Sequence, residues 1–223
     1  DSPAYNLIFS AKITPLVDVD LMEKAFESLF DRHPMLDVSF TSRGGEPVQI
    51  VHKGRSINFR EHDASGLSEA ALKALLVTQA EQPFNLKTGP VIRLELLKVS
   101  EHSHVCLLCI HHIVSDALSI ALLMNELIET YFAMQLGKAP HLSAIDYRYH
   151  DFVDWQRRNL ASPAAAAHRD YWQRQLAGAP AHLDLPTDHP RPAIQSFEGA
   201  TRALKLDDAL TRQISHLTTE HGV

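Results

Sequence analysis

The spacing of hydrophobic positions changes period several times along the chain, and each change marks an element. Tyr5 to Ile13 has the composition of a strand, ended by Pro15. From Val19 the period becomes helical. Met22, Ala25, Phe26, Leu29 and Phe30 share one face, Asp20 and Glu23 are spaced as a capping box, and Pro34 closes the run. Leu36 to Phe40 and Pro47 to Val51 flank a Gly44-Gly45 turn and read as a hairpin. Ser68 is placed to cap a second helix in which Leu72, Leu75, Leu76 and Gln79 form a stripe, with Pro83 as its stop.

Val91 to Val99 alternates, Glu101 to His104 is a polar turn, and Val105 to Ile110 is a continuous apolar run. Together they predict a second hairpin at the centre of the fold. A long helix follows from Leu118 to Leu136, with Leu123, Leu127, Ile128, Tyr131 and Phe132 expected inward and Gly137 placed to end it. Two further helices are expected at Tyr149 to Leu160 and Ala164 to Ala177, with Trp155, Tyr171 and Trp172 as core aromatics. Pro180, Pro186, Pro190 and Pro192 punctuate a crossover, beyond which Glu198 to Leu206 reads as a strand and Asp207 to Glu220 as a helix.

Composition narrows the class. Of the 223 residues, 45% are hydrophobic and 22% charged, ordinary for a globular chain. The 21 Lys and Arg against 27 Asp and Glu give a formal charge of -6, so no nucleic-acid or anionic-membrane partner is expected. The apolar run Val105 to Ile110 is far short of the roughly 18 to 20 residues of a spanning helix, and the expected location is cytoplasmic. Because the chain opens at Asp1 in what already reads as a strand, it is expected to be part of a longer polypeptide. Cys106 and Cys109 form a C-x-x-C inside the apolar strand. Residues three apart in a strand point to opposite faces, so buried, reduced, structural thiols are expected rather than a redox pair or half a zinc site. The scattered His52, His62, His141, His182 and His216 read as solvated side chains.

The one dense cluster of chemistry-bearing residues is His111-His112-Ile113-Val114-Ser115-Asp116, where the buried strand gives way to the long helix. Adjacent histidines on an extended segment face opposite ways, so at most one addresses a given pocket. Asp116 is placed to orient an imidazole, to pair with a distant arginine or to cap the helix. No third or fourth ligand supports a metal site, and Ser115 lacks the G-x-S-x-G elbow of a serine nucleophile. From the residues alone the reading is a histidine general base of unspecified substrate.

His111 to Ser119 resembles the H-H-x-x-x-D-G signature of nonribosomal peptide synthetase condensation domains, in the chloramphenicol acetyltransferase-like superfamily. The flanks agree in order. Arg32-His33-Pro34-Met35-Leu36 is similar to R-H-x-x-L, and Phe84-Asn85-Leu86 with Gly89, Pro90 and Arg93 to F-x-L-x-x-G-P-x-x-R. Tyr149-His150-Asp151-Phe152 with Trp155 is similar to Y-x-D-F/Y-x-x-W, and Leu185 to Pro192 to L-P-T-D-x-P-R-P. The resemblance implies an α/β fold of the α+β two-layer kind, a mixed sheet with helices packed on it. Residues 1–193 would be the amino-terminal lobe of a condensation domain, and 194–223 the crossover and start of an otherwise missing second lobe.

The implied activity is acyl transfer, forming an amide between a carrier-bound acyl or peptidyl thioester and an aminoacyl acceptor. His112 would take a proton or position the amine, with His111 beside it and Asp116 holding the loop by a salt bridge. No cofactor or metal is expected on the chain itself. Phosphopantetheine arms would come from upstream donor and downstream acceptor carrier proteins, and the isolated piece is expected to be inactive. The alternatives are a non-condensing carrier-binding relative and an ester- or amide-forming acyltransferase with a free acceptor. Two positions depart from the pattern. Ala117 replaces the glycine after the aspartate, and Asp37-Val38 stand where the family carries Arg-Thr, which leaves Asp116 without its expected cation unless Arg93 or another residue supplies it.

Overall fold

Strand β1 (Asn6–Ile13) and the hairpin formed by β5 (Ile92–Ser100) and β6 (Ser103–His111) build the centre of a four-stranded sheet in the order β1-β6-β5-β4. The computed structural model describes residues 2–14, 17–54, 57–180, 182–183, 185–197 and 199–222. The sheet is mixed, because β4 (Phe59–Asp63) lies parallel to β5 while the other pairs are antiparallel. Strands β2 (Val38–Arg43) and β3 (Glu46–Val51) form a separate hairpin. Its turn places Gly44 and Gly45 at φ 59° and 88°, a conformation that suits glycine and matches the strand twist.

The central strands β5 and β6 are buried on both faces, whereas β1 and β4 each keep exposed positions. Along β6, Cys106, Leu108 and Ile110 face a cluster with Met22, Phe26 and Leu29 of α1 (Val19–Arg32) and Leu123, Leu127 and Tyr131 of α3 (Ala117–Gln135). Val105, Leu107 and Cys109 face the other way, toward Leu72, Leu75 and Leu76 of α2 (Glu69–Ala80). The alternation of Val91 to Val99 has the same origin. Leu94 and Leu96 enter the first cluster, whereas Arg93, Glu95 and Leu97 are buried on the second face.

The two thiols therefore project from opposite sides of one strand, as expected from their spacing, and both are free and buried. Burial is also the first cause of their low acidity, pushing Cys106 up to about 12 and Cys109 in the same direction. Neither thiol is expected to react with a disulfide reagent at pH 8 until the chain is unfolded. Rapid labelling of native protein would contradict this placement.

The helix ends follow their chemistry. Asp18 caps α1 by accepting from the Leu21 N–H at 3.0 Å, so the cap lies two residues before the Asp20 and Glu23 box read from the sequence. Ser68 caps α2 through the Ala71 N–H, as expected. Gly137 follows α3 at φ 63°. On α3, Leu123, Leu127 and Tyr131 are buried, but Ile128 and Phe132 are about half exposed, and Met124, Glu126, Thr130 and Ala133 take the inward positions. This helix has the length and mean hydropathy, 1.3, of a membrane span, yet its inward face is packed into the core with a carboxylate among the buried groups.

Helices α4 (Tyr149–Leu160) and α5 (Pro163–Gln175) form where expected, but Trp155, Tyr171 and Trp172 are each more than half exposed instead of serving as core aromatics. Pro15 and Glu198 lie outside the described residues. Asp1–Gly178 and Ala179–Val223 form two compact units. In the second, α6 (Asp208–His221) is capped by Asp207 and closed by Gly222. Residues 199–206 form no strand, since an alternating pattern has no ladder to join without a neighbouring strand.

Candidate functional site

β6 hands the chain directly to the residues of interest. The His111 N–H donates to Val91 O at 2.9 Å and the His112 N–H to Tyr5 O at 2.8 Å, so both backbones remain tied to neighbouring segments up to the last residue. Val114 N–H then returns to His111 O at 3.1 Å, closing a tight turn that ends at Asp116.

The two imidazoles face different surroundings, as the extended backbone requires. His111 is half-buried, with its ring centroid 6.1 Å from Tyr5 and 6.3 Å from Phe84. Its Nδ1 accepts the Ile113 N–H at 3.0 Å, which leaves the proton of the neutral ring on Nε2. Burial holds this ring below its ordinary pKa, and the neighbouring His112 adds in the same direction. With Tyr5, Phe84 and Lys87, His111 lines an open pocket of about 410 Å³ that does not include His112.

His112 is exposed, and its Nδ1 lies 2.9 Å from the Ser115 carbonyl oxygen. A carbonyl only accepts, so Nδ1 carries the proton and Nε2 is the nitrogen with a free lone pair. A ring fixed in that tautomer and open to a reactant has what a general base needs.

Asp116 does its work on the backbone. Its Oδ1 accepts the Ser119 N–H at 2.8 Å and the Ser119 hydroxyl at 2.7 Å, capping α3. Among the described residues no salt bridge reaches it, so the ion pair implied by the resemblance is replaced by a helix cap. The Ser119 hydroxyl, then the Ser119 N–H, hold the carboxyl below its ordinary value of 3.8, and the His112 ring adds to the effect. Stability from this interaction is complete above the unfolded value and disappears as pH falls through the lower folded one. Asp116→Asn, which keeps a capping oxygen, is expected to flatten the acid limb of the stability profile below about pH 4 while changing the midpoint at pH 7 little. An unchanged acid limb would speak against the charge-assisted cap.

Ala117 is the first residue of α3 in ordinary helical geometry. The only positive φ at a non-glycine among the described residues is at Phe197, so no strain follows from the missing glycine. Arg93 does not stand in as a cation for Asp116. It is buried, and its Nη2 donates to the carbonyls of Gln79 at 2.6 Å, Ala80 at 3.3 Å and Gln82 at 2.9 Å, while its guanidinium lies 4.4 Å over the Phe84 ring. Asp37 is buried before β2, its carbonyl accepting the His52 N–H at 2.7 Å.

Arg32 and His33 are more than a helix end. Both reach the buried Glu126 of α3, at 3.0 and 2.5 Å, and Arg32 also donates to Ser143 O at 2.6 Å. Sequence reading missed this clamp and two other polar contacts. His62, expected in solvent, meets the fully buried Glu95 at 3.0 Å, and His104 is buried with its Nδ1 accepting the Val17 N–H. A glutamate on the inward stripe of a helix is the signal that could have found Glu126. Among the described residues no group of three or more His, Cys, Asp or Glu side chains converges as a metal site.

A family model described as Condensation domain matches residues 1–223. The chain is 36% identical over its whole length to one of the linear gramicidin synthase proteins of Brevibacillus parabrevis, of which it spans 3%. It is 34% identical over 99% of its length to the phosphinothricin tripeptide synthetase PhsC of Streptomyces viridochromogenes, of which it spans 21%. Among solved structures it is similar to the X-domain from teicoplanin biosynthesis, with a TM-score of 0.84 and 26% identity over 98% of this chain and 49% of that one. It shares the fold of the starter condensation domain of rhizomide synthetase RzmA, with a TM-score of 0.73 and 22% identity over 81% of this chain and 44% of the other.

Proposed function

The chain belongs to the condensation-domain family of peptide synthetases, and from that premise we propose that it forms amide bonds as part of a longer synthetase. Residues 1–193 are read as the amino-terminal lobe and 194–223 as the crossover into a second lobe, in keeping with a chain that spans about half of the solved domains it matches. The substrates are a donor acyl or peptidyl thioester and an acceptor aminoacyl group. Each is presented on the phosphopantetheine arm of a carrier domain, one upstream and one downstream, in the cytoplasm.

The observation that carries the reading is the His112 ring, exposed and locked with Nδ1–H on the Ser115 carbonyl. The acceptor nitrogen attacks the thioester carbon while Nε2 takes its proton. The C–N bond forms, the C–S bond breaks, and the departing thiolate receives the proton back from the imidazolium. Aminolysis of a thioester is downhill, so holding the two arms in line contributes more than the proton transfer itself. His111 and Asp116 act on the turn: one accepts the Ile113 N–H, the other starts α3. Read as one lobe of two, the isolated 223 residues are expected to be inactive.

The test is product formation by the intact parent synthetase with both carriers loaded. Amide product that requires the acceptor carrier is the expected result. Carrier binding without product, or equal use of soluble amines and alcohols, would overturn the assignment.

A further inference from the structure

The Phe84 to Arg93 segment has no part in the chemistry proposed above, yet its side chains form a continuous path to it. The path starts where α2 ends. Its last carbonyls are met by Arg93, which reaches three of them, and by Asn6, whose amide donates to Ala80 O at 2.8 Å and Gln82 O at 2.9 Å. This fixes the guanidinium plane, and Phe84 lies against that plane at 4.4 Å. Phe84 meets the His111 ring edge to face, at 6.3 Å and 80°. His111 in turn accepts the Ile113 N–H, in the turn that displays His112. Arg93 is also next to the fully buried Glu95, with Nε 3.8 Å from the carboxylate, so its charge is compensated without leaving this position.

We infer that Arg93 and Phe84 are positioning residues for His112, acting through the His111 ring on the turn between β6 and α3. Every link is a direct contact of a fixed ring or a planar cation, and the links are ordered. Removing the Phe84 ring releases His111 on one side and the Arg93 face on the other. A lysine at position 93 keeps the charge and a terminal nitrogen for the carbonyls but offers no planar face for Phe84. The inference rests on His112 being the residue that assists the reaction, and its test separates the two.

The experiment measures amide formation by the intact parent synthetase with loaded carriers, and the histidine ring resonances of the complete two-lobe domain labelled with 15N-histidine. Phe84→Leu keeps an apolar side chain of similar bulk. Phe84→Tyr restores the ring. Phe84→Leu and Arg93→Lys are each expected to lower kcat about tenfold with KM for the acceptor carrier unchanged, and to shift the His111 nitrogen signals. Phe84→Tyr is expected to match the unsubstituted enzyme in both readouts. The double variant is expected to be no worse than the poorer single one, because both act on one path.

A kcat loss without a His111 shift, additive losses, or His111 shifts with kcat unchanged overturn the inference. His112→Ala is the separate control. If it leaves turnover intact, the proton-transfer reading fails while the ring resonances still decide whether Arg93 and Phe84 hold His111.

Discussion

His112→Ala is expected to lower kcat for amide formation by the parent synthetase by about 10² to 10³-fold, with KM for either loaded carrier nearly unchanged. The reason lies in what the substitution leaves intact. The His112 backbone N–H still bonds Tyr5 O, Asp116 still caps α3, and an exposed side chain is removed from the surface of a turn, so folding is little affected. What goes is the imidazole of this turn whose free nitrogen is open to a reactant. His112→Gln separates two contributions, since an amide in the same place can hold an amine by a hydrogen bond but cannot take its proton at neutral pH. A Gln variant near full activity would assign the residue to alignment alone. An Ala variant near full activity would remove it from the chemistry altogether.

The second large effect concerns stability. Glu126→Ala is expected to destabilise the fold by about 3 kcal/mol, at the lower end of what breaking a buried ion pair costs. The carboxylate is buried, whereas the Arg32 and His33 side chains that it serves are about one-fifth exposed and can recover part of their hydration. The loss is larger than the roughly 1 kcal/mol of a helix cap because one side chain joins three segments: the end of α1, the middle of α3 and, through Arg32, the chain at Ser143. Chemical denaturation of the Ala and Gln variants measures it. A change under about 0.5 kcal/mol in both would show that the three groups are independently solvated.

Most of the first unit was legible in the sequence because its signals are local. The caps at Ser68 and Asp116, the glycine pair of the β2–β3 turn and the opposed cysteines of β6 all follow from period and cap chemistry. The features that were not legible are those decided by partners distant in sequence. β4 reads Phe-Arg-Glu-His-Asp, with no apolar alternation, and becomes a strand only because β5 lies beside it. Residues 199–206 show the reverse, an alternating pattern that forms no strand. In the candidate site, the opposed imidazoles and the capping role open to Asp116 were readable from spacing. The tautomer of His112 was not, since it depends on a carbonyl three residues on, and neither was the use of Arg93, whose target is the end of another helix.

One consequence of β6 reaches into protein engineering. From His104 to Ile110 the strand pairs residue for residue with both β1 and β5, the one irregularity lying at Val99 of β5 beside the Ser100–Ser103 end, and side chains along it alternate between two buried faces. Deleting or inserting a single residue between Val105 and Ile110 therefore puts the segment out of phase, exchanging which histidine is tucked against Phe84 and which is displayed. A junction for domain recombination belongs outside this strand, or must conserve its length residue for residue.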